Sequence, residues 1–346
     1  MNHLDFLLEG EAILVTDAFN RRYFSGIEHE EGVVIITRSK TVYFADLRSY
    51  DILEQKTKNS LVTPMVMKSF ESIKEYLASK NARKLYIDYQ SISVAEYKRY
   101  KKTGIKVVDG SKLIGKIRQV KSSLELENIK TACDIAQKAF YMTLPYIKAG
   151  VTERAVKNRL VNAMKKLGAE GESFSTIVAF GKNTAVPHHE TGDTKLKRNQ
   201  PILIDWGCKV NGYCSDITRT FFYGKPNAEF ENTFNLVAKA NLVAQNKIKE
   251  GTSCKKADSY ARNYFKSFGV DEYFTHSLGH GLGLEIHEKP FLSPKGKGSI
   301  SKSVPFTIEP GLYYKDKFGI RIENTVVLTE NGVISLTGDG RKLLII

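Results

Sequence analysis

The sequence has no long hydrophobic run, few cysteines and no segment like a secretory signal. No stretch reaches the ~18 consecutive apolar residues that a membrane helix needs, so no membrane span is predicted. The N-terminal segment MNHLDFLLEGEAILV is acidic and lacks a small-residue cleavage site, so we expect no signal peptide. The four cysteines show no CxxC spacing, which favours reduced thiols in a cytoplasmic protein over a zinc cluster or a disulfide framework.

Acidic residues are scarce relative to basic ones, 38 against 52, and the net charge is +14. A basic surface can bind nucleic acid because it releases counterions from the phosphates. However, 38 of the 52 basic residues are lysines spread along the whole chain, without an arginine-rich block. We therefore expect a solvated lysine surface and do not predict nucleic acid as a partner.

The chain of 346 residues is long enough for two domains. In its first third, short apolar runs (AILVTD, GVVIITR, TVYFAD, KLYIDY) alternate with helical stretches such as residues 66–79, which predicts an α/β unit. Further on, Ser122 and Glu125 form a capping box, and apolar residues then recur at helical spacing as far as Thr143. We predict one domain over residues 1–118 and a second over residues 119–346.

The second domain contains a predicted internal duplication. Residues 147–168 align without a gap on residues 248–269, at a constant offset of 101. Each copy is typical of a helix end, a glycine stop, a hydroxyl N-cap and a second helix that ends at glycine. The alternative is that any two helix–turn–helix segments look alike. The coinciding pairs are Ile147/Ile248, Gly150/Gly251 and Gly168/Gly269, with the core-type pairs Leu160/Ala261, Met164/Phe265 and Leu167/Phe268.

The segment PILIDWGCKVNGYCSDITRTFFYG predicts a β-hairpin with Asn211-Gly212 as its two-residue turn. In that register Asp205 lies opposite Thr218, and Asp216 is its diagonal neighbour on the same face. The other face carries apolar residues suited to a core. Two carboxylates on one face repel each other unless a cation or a proton lies between them. This pattern favours a metal site, with a chance surface pair as the alternative.

The segment FTIEPGLYYKDKFGIRIENTVVL predicts a second hairpin, centred on Asp316. This register sets Glu309 opposite Glu323, although Pro310 can disturb the pairing. Arg321 then shares the face of Glu323. The alternative is a salt-bridged edge strand.

Three of the seven histidines lie in the fifteen residues of HSLGHGLGLEIHEKP. The interleaved glycines disfavour a helix, and the segment lacks the second histidine of a helical HExxH zinc motif. As extended chain, His276 and His280 point to one side, and the glycines allow backbone or substrate to come close. His287 lies beyond this stretch.

Five residues in ordered contexts resemble the ligand set of the pita-bread metallopeptidases. The contexts are LIDWGCKVNGYCSDITRTF, HSLGHGLGLEIHEKP, TIEPGLYY and GIRIENTVVLT, while AFGKNTAVPHH resembles a pocket-histidine motif and points to His188. Residues 1–118 resemble the small N-terminal domain of aminopeptidase P and prolidase, notably in AFNRRYFSGI. The implied fold class is α/β (α+β), with a creatinase-like α/β domain before a duplicated pita-bread catalytic domain. The five residues are Asp205, Asp216, His280, Glu309 and Glu323.

The resemblance implies two divalent metal ions per subunit, manganese first, with cobalt, iron or zinc as alternatives. Asp205 would hold one ion, His280 and Glu309 the other, and Asp216 and Glu323 would bridge both. A bridging hydroxide would attack the scissile carbonyl, with His287 stabilising the oxyanion and Glu309 carrying the proton. His188, His276 and Arg321 would surround the substrate; hydrogen bonding to the carboxylates is the alternative role of these three.

The implied activity is that of a cytoplasmic Xaa-Pro aminopeptidase or Xaa-Pro dipeptidase, acting on peptides with proline in the second position. A homodimer is expected by the same resemblance. The alternatives are a methionine-type aminopeptidase, which generally lacks the N-terminal domain, and a non-catalytic pita-bread protein that binds protein or RNA. A metal-free amidinohydrolase like creatinase is disfavoured by the full set of carboxylates.

Overall fold

The computed structural model of the protein describes residues 7–346. Residues 1–6, where the segment tested for a signal peptide begins, lie outside the described residues. The chain forms two compact units, one that ends at Arg118 and one that starts at Gln119. No helix in the described part of the chain is long and apolar enough to cross a membrane.

The first unit is built around a six-stranded sheet in the order β4-β3-β2-β1-β5-β6. The four predicted apolar runs are strands β1, β2, β3 and β5, which confirms those predictions. The helix predicted over residues 66–79 begins only at Phe70, because Val66 ends a strand that pairs in parallel with Ala45. The elements are β1 Glu11–Val15, α1 Ala18–Ser25, β2 Val33–Thr37, β3 Thr41–Ala45, α2 Tyr50–Thr57, β4 Val62–Val66, α3 Phe70–Ser79, β5 Lys84–Ile87, α4 Val94–Lys101, β6 Lys106–Asp109 and α5 Ser111–Gln119.

Both faces of the central strands β1, β2 and β3 are buried, which explains why these strands are nearly continuous apolar runs. Along β1, Ala12 and Leu14 pack into one hydrophobic cluster, while Ile13 and Val15 pack into another on the opposite face. The alternation follows the two-residue period of a strand.

The second unit consists of four long helices and several small antiparallel sheets. One sheet has the order β8-β9-β12, and another has the order β14-β13-β15-β18-β19. Strands β7, β10 and β11 form a third sheet, and β16 pairs with β17. The elements are α6 Ser123–Thr143, α7 Glu153–Lys166, β7 Gly171–Glu172, β8 Ile177–Phe180, β9 Gln200–Trp206, β10 Cys208–Val210, β11 Tyr213–Cys214, β12 Ile217–Tyr223, α8 Ala228–Lys247, α9 Cys254–Lys266, β13 Gly279–Gly281, β14 Glu288–Leu292, β15 Pro305–Ile308, β16 Gly311–Tyr314, β17 Phe318–Arg321, β18 Asn324–Thr329 and β19 Gly332–Ser335.

Helix α6 begins at the predicted capping box. The Ser122 side chain accepts a hydrogen bond from the Glu125 amide at 3.3 Å, and the Glu125 carboxylate accepts one from the Ser122 amide at 2.9 Å. The helix buries Phe140 against Trp206, with ring centroids 4.9 Å apart, and the Trp206 indole donates to the Ala136 carbonyl at 2.9 Å. These contacts fix strand β9, which ends at Trp206, against α6.

The helix–glycine–cap pattern predicted for both copies of the duplication is confirmed. Thr152 caps α7 by accepting from the Ala155 amide, and Ser253 caps α9 by accepting from the Lys256 amide. Each of the four matched glycines has a positive φ. Five of the six core-type residues are buried or partly buried against a core, but Phe268 is 55% exposed, so that prediction is wrong. Helix α9 ends at Lys266, which places Phe268 on the following turn, beside Tyr264.

Candidate metal centre

The first hairpin has the predicted register. Val210 pairs with Tyr213 and Asp205 pairs with Thr218, around a turn in which both central residues, Asn211 and Gly212, have positive φ. Asp216 lies just before β12, and its carbonyl accepts a hydrogen bond from the Thr325 hydroxyl at 2.7 Å. The opposite face is the apolar core, as predicted, and includes Ile202, Ile204, Trp206, Ile217 and Phe221.

The second hairpin is also centred on Asp316, as predicted, and its register is the same on both sides of Pro310. The ladder is interrupted at Glu309 and Glu323, where the two strands leave one sheet and enter another. The Glu309 amide instead donates to the Leu278 carbonyl at 2.9 Å, and the Glu323 amide donates to the Thr218 carbonyl at 3.2 Å. The break therefore ties each acid to a neighbouring segment of the same site.

The glycine-rich histidine segment is not helical, as predicted, and contributes the short strand β13 between β14 and β15. A Cβ atom at Gly279 would overlap the Thr307 carbonyl, and one at Gly281 would overlap the Lys289 carbonyl. The His280 amide donates to the Thr307 hydroxyl at 3.1 Å. Close packing of three strands therefore requires the glycines and brings His280 beside Glu309.

All nine side chains proposed from the sequence line one cleft of about 450 Å³ within the second unit. Apolar residues line the same cleft, among them Phe174, Ile177 and Phe291. The nine are Asp205, Asp216, His280, Glu309 and Glu323, with His188, His276, His287 and Arg321.

His280 has the protonation state of a metal ligand. Burial lowers the pKa of His280 to about 3, so the ring is neutral, and its Nδ1–H donates to the Gly281 carbonyl at 3.1 Å. The lone pair of Nε2 then faces Asp216 Oδ2 at 3.5 Å and Glu309 Oε1 at 3.4 Å. Two ligands about 2.1 Å from one ion at a tetrahedral angle are about 3.4 Å apart. The spacing suits a cation between these atoms.

Three of these side chains form a compact donor set. One ligand atom from each of Asp216, His280 and Glu323 lies within 4.8 Å of the other two. Carboxylate and imidazole donors of this kind suit manganese, iron, cobalt and zinc.

Asp205 contributes a buried oxygen that lacks a protein partner. Its Oδ2 accepts from Arg321 Nη2 at 2.7 Å, but its Oδ1 is buried and has no hydrogen-bond partner among the described residues. A buried carboxylate oxygen without a donor is costly. A divalent cation at this oxygen would satisfy it, so the residues present fit a metal centre.

Three carboxyl groups of the cleft do not ionise easily without a cation. Burial, together with the charge of Glu323, raises the pKa of Asp216 well above its usual range, and burial with the charge of Glu309 does the same for Glu323. Burial raises the pKa of Glu309 to about 8, although Arg321 opposes the shift. These buried carboxyl groups are therefore stable when they carry protons or when metal ions neutralise their charge.

Arg321 links the carboxylates to the other side of the cleft. Its Nε donates to the Thr218 hydroxyl at 3.0 Å and its Nη1 donates to the Tyr313 hydroxyl at 2.8 Å. Tyr313 in turn donates to Nε2 of His276 at 2.9 Å, because His276 is neutral and its Nδ1–H donates to the Ser277 carbonyl. Burial lowers the pKa of His276 to about 3. Arg321 thus hydrogen-bonds a carboxylate directly, whereas His276 acts through Tyr313.

The remaining two histidines lie on the exposed side of the cleft. The His287 ring contacts the His280 ring edge to face, with centroids 4.3 Å apart, and desolvation followed by the charge of His188 lowers the pKa of His287. His188 is exposed and follows Pro187, whose carbonyl accepts from Arg321 Nη1 at 3.4 Å. Both rings are placed to meet a ligand that enters the cleft.

Three hydroxyl residues of the site were not predicted. Thr218 donates to Glu323 Oε2 at 2.7 Å, Thr307 donates to Glu309 Oε1 at 3.0 Å, and Tyr313 joins Arg321 to His276. Strand alternation carries a signal for all three. Thr218 and Thr307 each lie two residues from an acid along the chain. Tyr313 pairs with Gly319, two residues before Arg321, and is therefore the diagonal neighbour of Arg321.

Comparison with known proteins follows the same division of the chain. Residues 127–330 match metallopeptidase family M24, and residues 9–120 match the creatinase/prolidase N-terminal domain. The Xaa-Pro dipeptidase of Pyrococcus furiosus is 36% identical over 340 residues, which are 96% of this chain and 95% of the relative. Among solved structures, an Xaa-Pro dipeptidase from Bacillus anthracis has a TM-score of 0.91 at 31% identity, covering 97% of this chain and 95% of that one. An X-Pro aminopeptidase from Thermotoga maritima has a TM-score of 0.89 at 33% identity, covering 97% of each chain.

A duplicated helix-and-sheet unit whose cleft collects four carboxyl groups and an imidazole defines a metal-dependent hydrolase. The chain belongs to metallopeptidase family M24. It is an enzyme of the metallo-exopeptidase class, and its predicted fold class is confirmed: a creatinase-type α/β domain precedes a pita-bread catalytic domain.

Proposed function

We propose that this enzyme hydrolyses the Xaa-Pro bond at the N-terminus of peptides, as an Xaa-Pro aminopeptidase or an Xaa-Pro dipeptidase. The observation that carries the proposal is the convergence of five donor side chains and four pocket side chains on one cleft. Relatives that match nearly the full length of the chain are named for cleavage of this bond.

In this proposal two divalent ions occupy the cleft. Asp205 would help to hold one ion, and His280 and Glu309 would help to hold the other, with Asp216 and Glu323 as the remaining ligands. Manganese is favoured because four of the five donors are hard carboxylates, with cobalt, iron and zinc as alternatives. When bound, the ions lower the pKa of a water molecule and polarise the scissile carbonyl.

The protein's own groups then move protons and bind the peptide. Glu309 takes a proton from the attacking water and gives it to the leaving nitrogen, and the hydrogen bond from Thr307 holds one of its oxygens in place. His287, on the exposed wall, donates an N–H to the developing oxyanion. Arg321 and Tyr313 orient Asp205 and His276, and His188 contacts the substrate at the cleft mouth.

Proline in the second position suits this cleft for two reasons. The Xaa-Pro bond has no N–H, so a peptidase that grips its substrate through that donor loses a contact. A cleft that binds the ring through apolar surface instead keeps its affinity. The apolar side chains on the walls, Phe174, Ile177, Pro187, Ile286 and Phe291, provide such a surface.

The cellular compartment, the oligomeric state and the domain boundary of the enzyme are proposals as well. Four free, buried cysteines support a reducing compartment such as the cytoplasm. A homodimer is proposed from the family resemblance. The domain boundary between residues 118 and 119 is supported by the division of the chain into two compact units.

A peptide series tests the activity. Manganese-loaded enzyme is incubated with an Xaa-Pro dipeptide, an Xaa-Pro-Yaa tripeptide and the matched Xaa-Ala peptides, and release of the first residue is measured. We expect cleavage of at least one proline substrate, suppression by a chelator, and little cleavage of the alanine controls. Preference for a Met-Ala peptide would favour a methionine-type aminopeptidase. Failure to cleave any proline peptide, with metal confirmed bound, would refute the proposal.

A further inference from the structure

Glu153 is a fully buried carboxylate at the first position of α7. Its Oε1 accepts from the Phe180 amide at 2.9 Å and from Asn183 Nδ2 at 2.8 Å. Its Oε2 accepts from His189 Nε2 at 2.9 Å and from the Gly192 amide at 3.1 Å. Four donors from one segment, residues 180–192, thus converge on a single side chain.

These four donors are the polar partners of the buried Glu153 side chain. Within residues 7–346 no lysine or arginine forms a salt bridge with it, and His189 is its one titratable partner. The N-terminus of α7 adds a favourable dipole. A buried carboxylate that loses hydrogen-bond donors carries a large desolvation cost. Displacing residues 180–192 from Glu153 is therefore unfavourable in free energy.

The segment that Glu153 holds carries a wall of the catalytic cleft. Pro187 and His188 line the cleft, and His188 directly precedes the Glu153 partner His189. On the cleft side, Arg321 donates to the Pro187 carbonyl and the Gly319 amide donates to the Thr184 hydroxyl at 2.9 Å. The position of His188 is therefore set from behind by Glu153 and from the front by β17.

The internal duplication provides a comparison within the same chain. In the second copy the position equivalent to Glu153 is Cys254, which is also fully buried. The backbone scheme is the same in both copies. Glu153 N donates to Thr194 O and Cys254 N donates to Gly298 O, each at 3.1 Å. The fold of the repeat thus forms without a carboxylate, and the carboxylate occurs in the copy that presents His188.

We propose that Glu153 is a positioning residue that holds His188 in the substrate-binding geometry. This inference rests on the proposed peptidase function, in which His188 contacts the substrate. Glu153 acts through residues 180–192 and does not touch substrate or metal.

A double-mutant cycle between Glu153 and His188 tests the proposal. Glu153→Gln keeps the side-chain shape but turns an amide NH₂ towards N–H donors. We expect Glu153→Gln and His188→Ala each to lower kcat/KM for an Xaa-Pro substrate by about 10–100-fold, through KM more than kcat. The kcat/KM of the double variant is expected to lie within about threefold of that of His188→Ala, since both substitutions remove the same substrate contact. Metal content and the metal-induced rise in Tm stay at the wild-type level.

Cys254→Ala is the matched control at the equivalent position of the second copy, and we expect it to keep wild-type kcat/KM. Wild-type kinetics in Glu153→Gln, or losses that multiply in the double variant, would overturn the proposal. If Glu153→Gln does not fold, His189→Asn removes one of the four bonds; a several-fold loss that vanishes in the His188→Ala background supports the proposal, and a loss that persists there overturns it.

If the wild-type enzyme cleaves no Xaa-Pro peptide, the proposed function fails, and amide hydrogen exchange then decides the positioning role. Faster exchange over residues 180–192 in Glu153→Gln, with residues 296–300 unchanged, supports it. Unchanged exchange over residues 180–192 overturns it.

Discussion

At the residue scale, the site is defined by what each polar atom contacts. Asp205 Oδ2 is occupied by Arg321, while Oδ1 is buried without a partner among the described residues. Likewise the Nδ1–H of His280 is used by a carbonyl, which leaves Nε2 to face two carboxylates. In both Asp205 and His280, one polar atom is hydrogen-bonded within the protein and the other is available to a ligand.

We expect Asp216→Asn to abolish metal binding and to lower turnover by at least about 100-fold, beyond the loss typical of residues that only support a ligand. Asp216 is buried beside Glu323 and His280, so an amide removes both the negative charge and a donor oxygen. The metal-free variant should be as stable as the metal-free wild type, or more so, because a neutral amide replaces a buried carboxyl group whose ionisation is unfavourable. Elemental analysis, turnover and Tm with and without metal check this.

The matched control for Asp216→Asn is Asp193→Asn, which changes a 71% exposed carboxylate paired with Arg154. It should keep metal and activity. Bound metal at the wild-type level in Asp216→Asn would contradict the proposed bridging role.

Eight of the nine side chains proposed from the sequence could be found because they interrupt apolar strands or lie in the glycine-rich segment, whereas His188 was indicated only by the family resemblance. The partners that hold them could not be found in the same way. Thr218 and Glu323 are 105 positions apart, and Glu153 meets His189 across 36 positions. Such pairs follow from how separate hairpins and helices pack, which no local pattern in one sequence encodes.

At the element scale, the two hairpin registers were predictable because their turns specify them. Asn211-Gly212 requires positive φ at both positions, and this fixes every pair back to Asp205. The strand break at Glu309 was not predictable, although Pro310 marks the place. The sequence shows where the backbone donor is missing, but the new partner of Glu309, the Leu278 carbonyl, belongs to another element.

Strand β13 is packed so closely that its glycines cannot carry a side chain. We expect Gly281→Ala to destabilise the enzyme by about 1–3 kcal/mol or more, since a Cβ would overlap the Lys289 carbonyl and push β13 away from β14. The shift should also displace His280 and weaken metal binding. Denaturant unfolding and metal titration measure the two effects. Gly171→Ala in β7, where nothing lies within 4 Å of a Cβ, is the control and should be nearly neutral; equal stability of the two variants would count against this packing.

Segment 285–288, which carries His287, depends on a buried salt bridge. Lys121 Nζ lies 2.9 Å from Glu288 Oε2, with side chains only 1% and 7% exposed, and Glu288 Oε1 accepts from the Glu285 amide. We expect Lys121→Met to cost about 3–5 kcal/mol of unfolding free energy, because it removes the lysine from a buried ion pair.

The control for Lys121→Met is Lys130→Met, which breaks the exposed pair with Asp134 and should cost less than about 1 kcal/mol. Denaturant unfolding of both variants gives the comparison. A Lys121→Met variant no less stable than Lys130→Met would show that Glu288 is neutralised in another way.

At the scale of the whole molecule, the acidic cleft couples metal loading to pH. Burial raises the pKa of Glu309 from 4.5 to about 8, and the pKa values of Asp216 and Glu323 are also raised. Between these two pH values the metal-free folded protein therefore binds more protons than the unfolded chain. The stability from these groups is therefore present at low pH and is lost as the pH rises towards about 8. Metal ions need the deprotonated carboxylates, so they replace the lost stability.

We expect the rise in Tm caused by manganese to increase steadily between about pH 5 and pH 8, as the protons that compete with the metal are lost. Thermal unfolding with manganese and with chelator across this range measures it. In Asp216→Asn the rise should be small and nearly independent of pH. A manganese effect that is constant or larger at low pH would mean that the carboxylates are already ionised in the metal-free protein.

The chain has a single tryptophan, Trp206, and it lies one residue after Asp205, stacked on Phe140 in the core of the catalytic unit. Intrinsic fluorescence excited selectively through the indole therefore reports on the catalytic unit alone, because the first unit contributes no such emitter. A red shift of the emission during unfolding would show when water reaches Trp206 in that core. A change in the emission intensity when a cation is added would report metal binding at the adjacent Asp205, without an added fluorescent label.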